Sequence, residues 1–325
     1  MADWHLFTGR GEQHDWTEPP TPPWRQFGEL VTDLVPNPEA DSPRPVDLER
    51  ARAYRPGPND VNLVNVALYL RRPLLITGKP GTGKSTLAYA IAHELKLGQV
   101  LRWPISSRST LQDGLYRYDA VARLQDANLG QATGIGRYIQ LGPLGTALLP
   151  YERPRVLLID EIDKSDIDLP NDLLNVFEEG EFRIPELTRI TDSEAAVRVN
   201  ADGVGVDAPV TVRDGVVRCR AFPIVVLTSN GERDFPPAFL RRCVQLDLVE
   251  PDRERLTSIV TAHLGEEVTE HAAALIDQFL DRRSAGELAT DQLLNAVFLT
   301  SHVAREQGTR DELAALILRQ LTARR

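Results

Sequence analysis

The segment GKPGTGKS, residues 78–85, constrains this chain more than any other feature. It follows a short apolar run, PLLIT (73–77), and opens the helical pattern KSTLAYAIAHEL (84–95). The spacing is G-x-x-x-x-G-K-[ST], and its setting between a strand and a helix is the one that motif requires. Each residue type has a physical task. Gly78, Gly81 and Gly83 permit positive φ and let the backbone approach a polyphosphate. The backbone N–H groups of the loop and the start of the following helix form an anion site. The expected phosphate cradle is therefore Gly78, Lys79, Pro80, Gly81, Thr82, Gly83, Lys84, Ser85 and Thr86. Lys84 places a compact positive charge on the β- and γ-phosphates, and Ser85 offers its hydroxyl to Mg²⁺. Only four of the 37 basic residues are lysines, and two of them, Lys79 and Lys84, fall in this loop.

About 75 residues after the loop comes RVLLIDEIDKS. An apolar strand there delivers Asp160 and Glu161 to its C-terminal edge, where ligands bind in open α/β sheets. Asp160 is expected to hold Mg²⁺ through its water shell. Glu161 is expected to orient and deprotonate an attacking water. Adjacent carboxylates favour a hydrolase over a kinase, which needs no activated water. Asp163 and Lys164 read as surface or interface residues. A third constellation is VLTSN followed by FPPAFLRRC. Asn230 closes a strand where its amide reaches both a γ-phosphate and a water. Arg241 and Arg242 follow on a short helix starting near Pro237. Either arginine fits a cation donated to a neighbouring subunit's nucleotide; the alternative is an exposed pair before an edge strand.

Composition narrows the remaining classes. Hydrophobic residues make up 42% and charged residues 26%, as in ordinary soluble globular proteins. No apolar run approaches the roughly 20 residues of a membrane span. The start MADWHLFTGRGEQHDW lacks the pattern of a secretion signal. Cys219 and Cys243, the two cysteines, cannot form a disulfide framework, so a reducing cytoplasm is the expected compartment. Acids outnumber bases 47 to 37, giving a net charge of −10, which argues against nucleic acid as the default partner. The six histidines show no metal-ligand spacing, and His93, on the helix after the loop, reads as packed.

The chain divides by pattern. Residues 1–58 hold ten of the 23 prolines and three of the four tryptophans, Trp4, Trp16 and Trp24. EPPTPPW cannot continue a helix or central strand, so an extended arm over residues 1–45 is expected, lying on this chain's own body or on a neighbour. Helical spacing begins at Asp60, and strands are expected at 73–77, 99–105, 155–160, 223–229 and 243–248. Strands alternating with helices predict an α/β fold with a parallel sheet covered on both faces. Valines alternating around Asp202-Gly203 and Asp214-Gly215 read as β-hairpins before the fourth strand. After Pro251 only helices are expected. There are four, the last opened by a Thr309/Glu312 capping box.

The order of glycine-rich loop, DE strand, TSN strand, arginine pair and helical end resembles an AAA+ ATPase. The spans LIDEIDKSDIDLPNDLLNVFEEGEFRIPEL and GPLGTALL are similar to the MoxR-like branch and its dynein-related relatives. The resemblance covers about residues 50–325. It implies an αβα P-loop core of sheet order 5-1-4-3-2 with a small C-terminal helical lid, a ring oligomer, a hexamer by family habit, and ATP hydrolysis with Mg²⁺ at subunit interfaces. On this reading 46–250 is the nucleotide-binding domain and 251–325 the lid. Arg242 aligns with the arginine finger, Arg241 is its backup, and Asn230 matches sensor 1. Gln292 falls where the family usually has the sensor-2 arginine, with Arg282 or Arg283 as possible substitutes. Inserts near 124–139 and 196–220 correspond to those the family turns toward its central channel. Gly134-Ile-Gly-Arg-Tyr138 is either a substrate-gripping loop or, by the blander reading, a connector with a packed Tyr138.

Three functions follow from these expectations. The first is a chaperone-like ATPase that remodels a protein partner, for example a von Willebrand factor A-domain protein. The second is an ATP-gated switch in a multi-protein defence or signalling system. The third is a nucleic-acid translocase or loader, which the acidic charge disfavours.

Overall fold

A computed structural model of the chain describes residues 4–27, 34–35, 45–131, 134–202, 209–283 and 290–302. Five parallel strands form the central sheet: β1 (Leu74–Thr77), β2 (Leu101–Pro104), β3 (Val156–Asp160), β4 (Ile224–Ser229) and β5 (Val244–Asp247). Counted in chain order they lie 5-1-4-3-2 across the sheet. The helices used below are α1 (Pro45–Ala53), α2 (Pro58–Leu70), α3 (Lys84–Glu94), α4 (Ala120–Asn128), α5 (Leu169–Glu179), α6 (Arg253–Leu264), α7 (Thr269–Arg283) and α8 (Thr290–His302).

Strand sequence explains the layering. The middle strands are apolar at nearly every position because both faces are covered. On β3, Leu157 and Ile159 enter one core, with Leu75, Leu227 and Phe177; Val156 and Leu158 enter the other, with Ile76, Leu87, Ile91 and Leu246. That alternation is the period-two geometry of a strand, and it gives a three-layer α/β sandwich. The two edge strands read differently. On β2, Leu101 and Trp103 are buried while Arg102 and Pro104 are exposed. Proline is tolerated there because an edge strand has no second ladder to complete.

The segment before β4 is richer in strands than its valine pattern suggests. Ala196–Val199, Val210–Arg213 and Val216–Arg218 pair antiparallel, and Glu181–Arg183 joins them as a fourth strand. Asp214 and Gly215, at φ 53° and 66°, make the two-residue turn expected there. The Asp202-Gly203 turn runs into residues 203–208, outside the described ones. A second small hairpin, Tyr116–Tyr118 with Ile139–Leu141, carries α4 at its tip. Tyr138 is packed, 8% exposed, and its hydroxyl donates to Asp126 Oδ2 at 2.6 Å. The connector reading therefore holds for Tyr138. The apolar residues of this insert that do face solvent are Val121, Leu124 and Leu129, each more than 60% exposed.

After Pro251, helices α6, α7 and α8 surround a separate small core of Leu256, Val260, Ile276, Phe279, Leu293 and Val297. Asp252 caps α6 by accepting the Arg255 N–H at 2.9 Å. The helix expected from the Thr309/Glu312 box lies outside the described residues.

Residues 4–27 lie against this chain's own body. Phe7 is fully buried. Asn65 on α2, fully buried, accepts the N–H groups of Leu6 and Phe7 and donates to the Phe7 carbonyl. Glu94, at the end of α3 and also fully buried, accepts from Thr8 N–H and from Gly9 N–H. Trp16 Nε1 donates to the Leu95 carbonyl at 2.7 Å, and Arg25 Nη1 donates to the Phe177 carbonyl at 2.8 Å. Of the tryptophans there, Trp24 is the most open, at 73% exposure, and Trp4 is 40% exposed. Deleting residues 1–27 would leave a buried carboxylate without partners and uncover an apolar face. Each costs on the order of 2–4 kcal/mol. The expected result is a melting temperature lower by at least about 5 °C in a thermal scan; an unchanged scan contradicts this role.

Candidate functional site

The C-terminal edges of β1, β3 and β4 meet beneath the start of α3. There a cleft of about 540 Å³ opens between the sheet and the C-terminal helices. Its floor is the glycine-rich loop. Gly78, Gly81 and Gly83 adopt φ of 145°, 76° and 89°, backbone that side-chain-bearing residues rarely take. One of them is also sterically required, and a second is crowded. A Cβ on Gly78 would sit 2.7 Å from the Leu248 carbonyl, and one on Gly83 would sit 3.2 Å from the Tyr54 ring. Lys84 is 8% exposed, and its Nζ donates to the carbonyls of Gly78 and Lys79 at 2.7 and 2.8 Å. Burial lowers its pKa, opposed by the charges of Asp163, Asp160 and Glu161.

Asp160 ends β3 and is bound from three sides. Oδ1 accepts from Ser85 Oγ at 2.7 Å and from Thr228 Oγ1 at 2.8 Å. Oδ2 accepts from Arg102 Nη2 at 2.9 Å. Burial pushes its pKa up, but the hydrogen bonds from Ser85, Thr228 and Arg102 and the Arg102 charge outweigh that and hold it below the ordinary carboxylate value. Ser85 and Asp160 thus bring two hard oxygen donors together. Among the described residues no group of three or more His, Cys, Asp or Glu is placed to hold a metal. A hydroxyl and a carboxylate with further oxygens from phosphate and water suit Mg²⁺, which keeps much of its water shell.

Glu161 follows in the left-handed region, φ 63° and ψ 49°. A non-glycine residue there is strained by about 1 kcal/mol or more. Its N–H is held by Thr228 Oγ1 at 2.9 Å, and its Oε2 pairs with Lys164 Nζ at 2.8 Å. Strain of this kind concentrates at working sites. Here it turns the chain so that Glu161 lines the cleft beside Asp160.

Asn230 also lines the cleft, and its loop is clamped by Asp163. Asp163 Oδ2 accepts the N–H groups of Asn230 and Glu232 at 2.8 and 3.2 Å. The expectation that Asp163 is a surface residue is corrected: it is 5% exposed, because a carboxylate is needed to satisfy those two donors. Of the expected cradle, Pro80, Gly81, Thr82, Gly83, Lys84, Ser85 and Thr86 line the cleft. Lys79 turns outward to Glu250 at 3.1 Å.

Arg241 and Arg242 are not part of this chain's own cleft. Arg242 is half-exposed and pairs through Nε with Glu178 on α5, and its Nη1 donates to the Ala238 carbonyl at 3.2 Å. Arg241 gives its carbonyl to Arg72 Nη1 at 3.0 Å. Thr290, Asp291 and Leu294 of α8 face the cleft, and Gln292 is not among its lining residues. Arg283 is turned to the Pro251 carbonyl at 2.8 Å. The cation that α6 brings to the cleft is Arg255, whose Nε donates to the Arg55 carbonyl at 2.8 Å and whose Nη2 reaches Asp60 Oδ2 at 3.2 Å.

Sequence reasoning did not find Arg102, Thr228 or Arg255. Arg102 carried a signal, since it is the outward position of an alternating edge strand. Thr228 was hidden in an apolar run, and Arg255 in one of several arginine-rich helix starts.

A family model for the AAA domain (dynein-related subfamily) matches residues 73–243, more than half of the chain. The chain belongs to this family. It is thus an AAA+ ATPase by family, and the matched span runs from β1 to the residue before β5, taking in the loop, Asp160, Glu161, Asn230 and both arginines. No curated protein matches it. Among the described residues no helix is long and apolar enough to cross a membrane.

Proposed function

We propose that this AAA domain binds ATP with Mg²⁺ in the cleft and hydrolyses it as a ring of subunits, in the manner of the MoxR-like branch. The observation that carries the reading is the join of Lys84, Ser85, Asp160 and Thr228 at the edges of adjacent strands. Lys84 neutralises phosphate charge. Ser85 and Asp160 hold the metal, which when bound polarises the phosphoryl oxygens. Glu161 takes the proton of the attacking water, and Asn230 orients that water. Residues 46–250 then serve as the nucleotide domain and 251–325 as the lid, with Arg255 as the tie between lid and core.

Arg242 supports the subunit-boundary part of the proposal. It is half-exposed, outside its own cleft, and carried on a turn next to β5. Arg242→Ala is expected to lower ATP turnover by about 10³-fold. Mixing it with Lys84→Ala subunits, which lack a working cleft but keep the arginine, restores part of the rate. Full activity of Arg242→Ala alone contradicts the assignment and moves the role to Arg241 or elsewhere.

The product of turnover is proposed to be a conformational change in a protein partner. Exposed Val121, Leu124 and Leu129 on the α4 insert support a protein-contacting role over a nucleic-acid one, which an apolar face on an acidic chain serves poorly. A von Willebrand factor A-domain protein is the partner type suggested by the MoxR-like resemblance. The test is capture of partners on the Glu161→Gln protein with ATP and again with ADP. Partners that bind only with ATP support remodelling; DNA or RNA retained in their place contradicts it.

A further inference from the structure

Asp160 has one carboxylate oxygen that neither the loop nor β4 uses. Ser85 and Thr228 both take Oδ1, and among the described residues Oδ2 is held by Arg102. Asp160 is 8% exposed, and Oδ2, which neither Ser85 nor Thr228 occupies, is the oxygen left for a hydrated metal to approach. Arg102 stands in that approach. It reaches Oδ2 from β2, the strand beside β3, from a position opposite Leu158.

The Arg102 side chain is half exposed and lies on a boundary. It lines the nucleotide cleft and also a second cleft of about 500 Å³ on the other side of β2. That second cleft is polar, with Ser106, Ser109, Gln140 and the Asp113 carboxylate in its walls beside the guanidinium groups of Arg108 and Arg117. Asp113 there is already held, through Oδ2 by the N–H and hydroxyl of Thr110 at 3.0 and 2.8 Å and through Oδ1 by Arg117 at 3.8 Å, so the acceptors left for a displaced guanidinium are the serine hydroxyls and the Gln140 amide.

We infer that Arg102 is a two-position cation that competes with Mg²⁺ for Asp160: it holds Oδ2 while the metal is absent and swings toward the second cleft when the metal enters. This rests on the nucleotide reading of the first cleft. The physical reason is charge. A guanidinium on Oδ2 and a divalent ion on the same carboxylate repel strongly at such short range. Without metal, Arg102 lowers the negative potential that Asp160 would turn on an incoming polyphosphate. With metal, it has to be displaced, which weakens the help that Mg²⁺ gives to nucleotide binding. By linkage, the same factor appears whichever ligand is varied.

The test uses the full chain and a fluorescent, non-hydrolysable ATP analogue. Its affinity is measured once in EDTA and once in excess Mg²⁺, and the ratio of the two is the metal enhancement. For Arg102→Gln that enhancement is expected to be about tenfold larger than for the wild type. Arg102→Lys, which keeps the charge, stays near the wild-type ratio. An enhancement that is unchanged or smaller in Arg102→Gln overturns the competition and leaves the nucleotide reading standing. Smaller would make Arg102 a residue that merely orients Asp160 for the metal. A wild-type chain that binds the analogue in neither condition contradicts the nucleotide reading, and this inference with it.

Discussion

Lys84→Ala loses nucleotide affinity by at least about 100-fold, measured as ATP binding by equilibrium titration. The size follows from the environment of the side chain. Lys84 is nearly buried, and its ammonium now rests on two carbonyls of its own loop. Those are the neutral stand-ins for phosphate oxygens. Replacing them by a polyphosphate converts neutral hydrogen bonds to charge-assisted ones in a partly desolvated site. Truncating one partner of such a pair costs about 2–5 kcal/mol, mostly because the other charge is left uncompensated. The fold should survive, since Lys84 opens a helix whose apolar side, with Leu87, Ala88 and Ile91, stays packed. Wild-type affinity in a folded Lys84→Ala protein would sink the assignment of the loop.

Glu161→Gln behaves in the opposite way: it binds ATP with near wild-type affinity and turns it over about 10²–10⁴ times more slowly. The comparison is clean because glutamine has the same shape and meets the same backbone strain at φ 63°. The N–H bond to Thr228 is also unaffected. What changes is the carboxylate, so a selective loss of turnover reads out proton transfer. Lys164 now pairs with Glu161 at 2.8 Å, an exposed contact of small energetic weight. Lys164→Ala therefore changes the rate far less than Glu161→Gln does. Equal rates for Glu161→Gln and the wild type would remove Glu161 from the chemistry.

Much of this site was legible in the sequence because its parts are short and contiguous. GKPGTGKS carries its own conformational demand in three glycines, and LLIDE couples a buried strand to two acids that an apolar core cannot hold. The sheet was legible for the same reason: strands buried on both faces are written as unbroken apolar runs. What stayed hidden depends on contacts between distant segments. Arg102 acts on Asp160 across 58 positions, and Thr228 acts on it across 68. Asp163 looked like a solvated acid because the two N–H groups it satisfies belong to the loop after β4. The arm was open between two placements since prolines and tryptophans state that a segment is extended and apolar, not what covers it. Asn65 and Glu94 decide that, and each belongs to a helix whose pattern gives no hint of a backbone partner.

The most direct measurement is a structure of the Glu161→Gln protein with ATP and Mg²⁺. The account predicts density for a triphosphate along the N–H groups of Gly81 to Thr86, Lys84 Nζ moved from the loop carbonyls onto phosphate oxygen, and a metal between Ser85 Oγ and the phosphates. An empty loop with nucleotide bound elsewhere, or with none bound at saturating ATP, would contradict it.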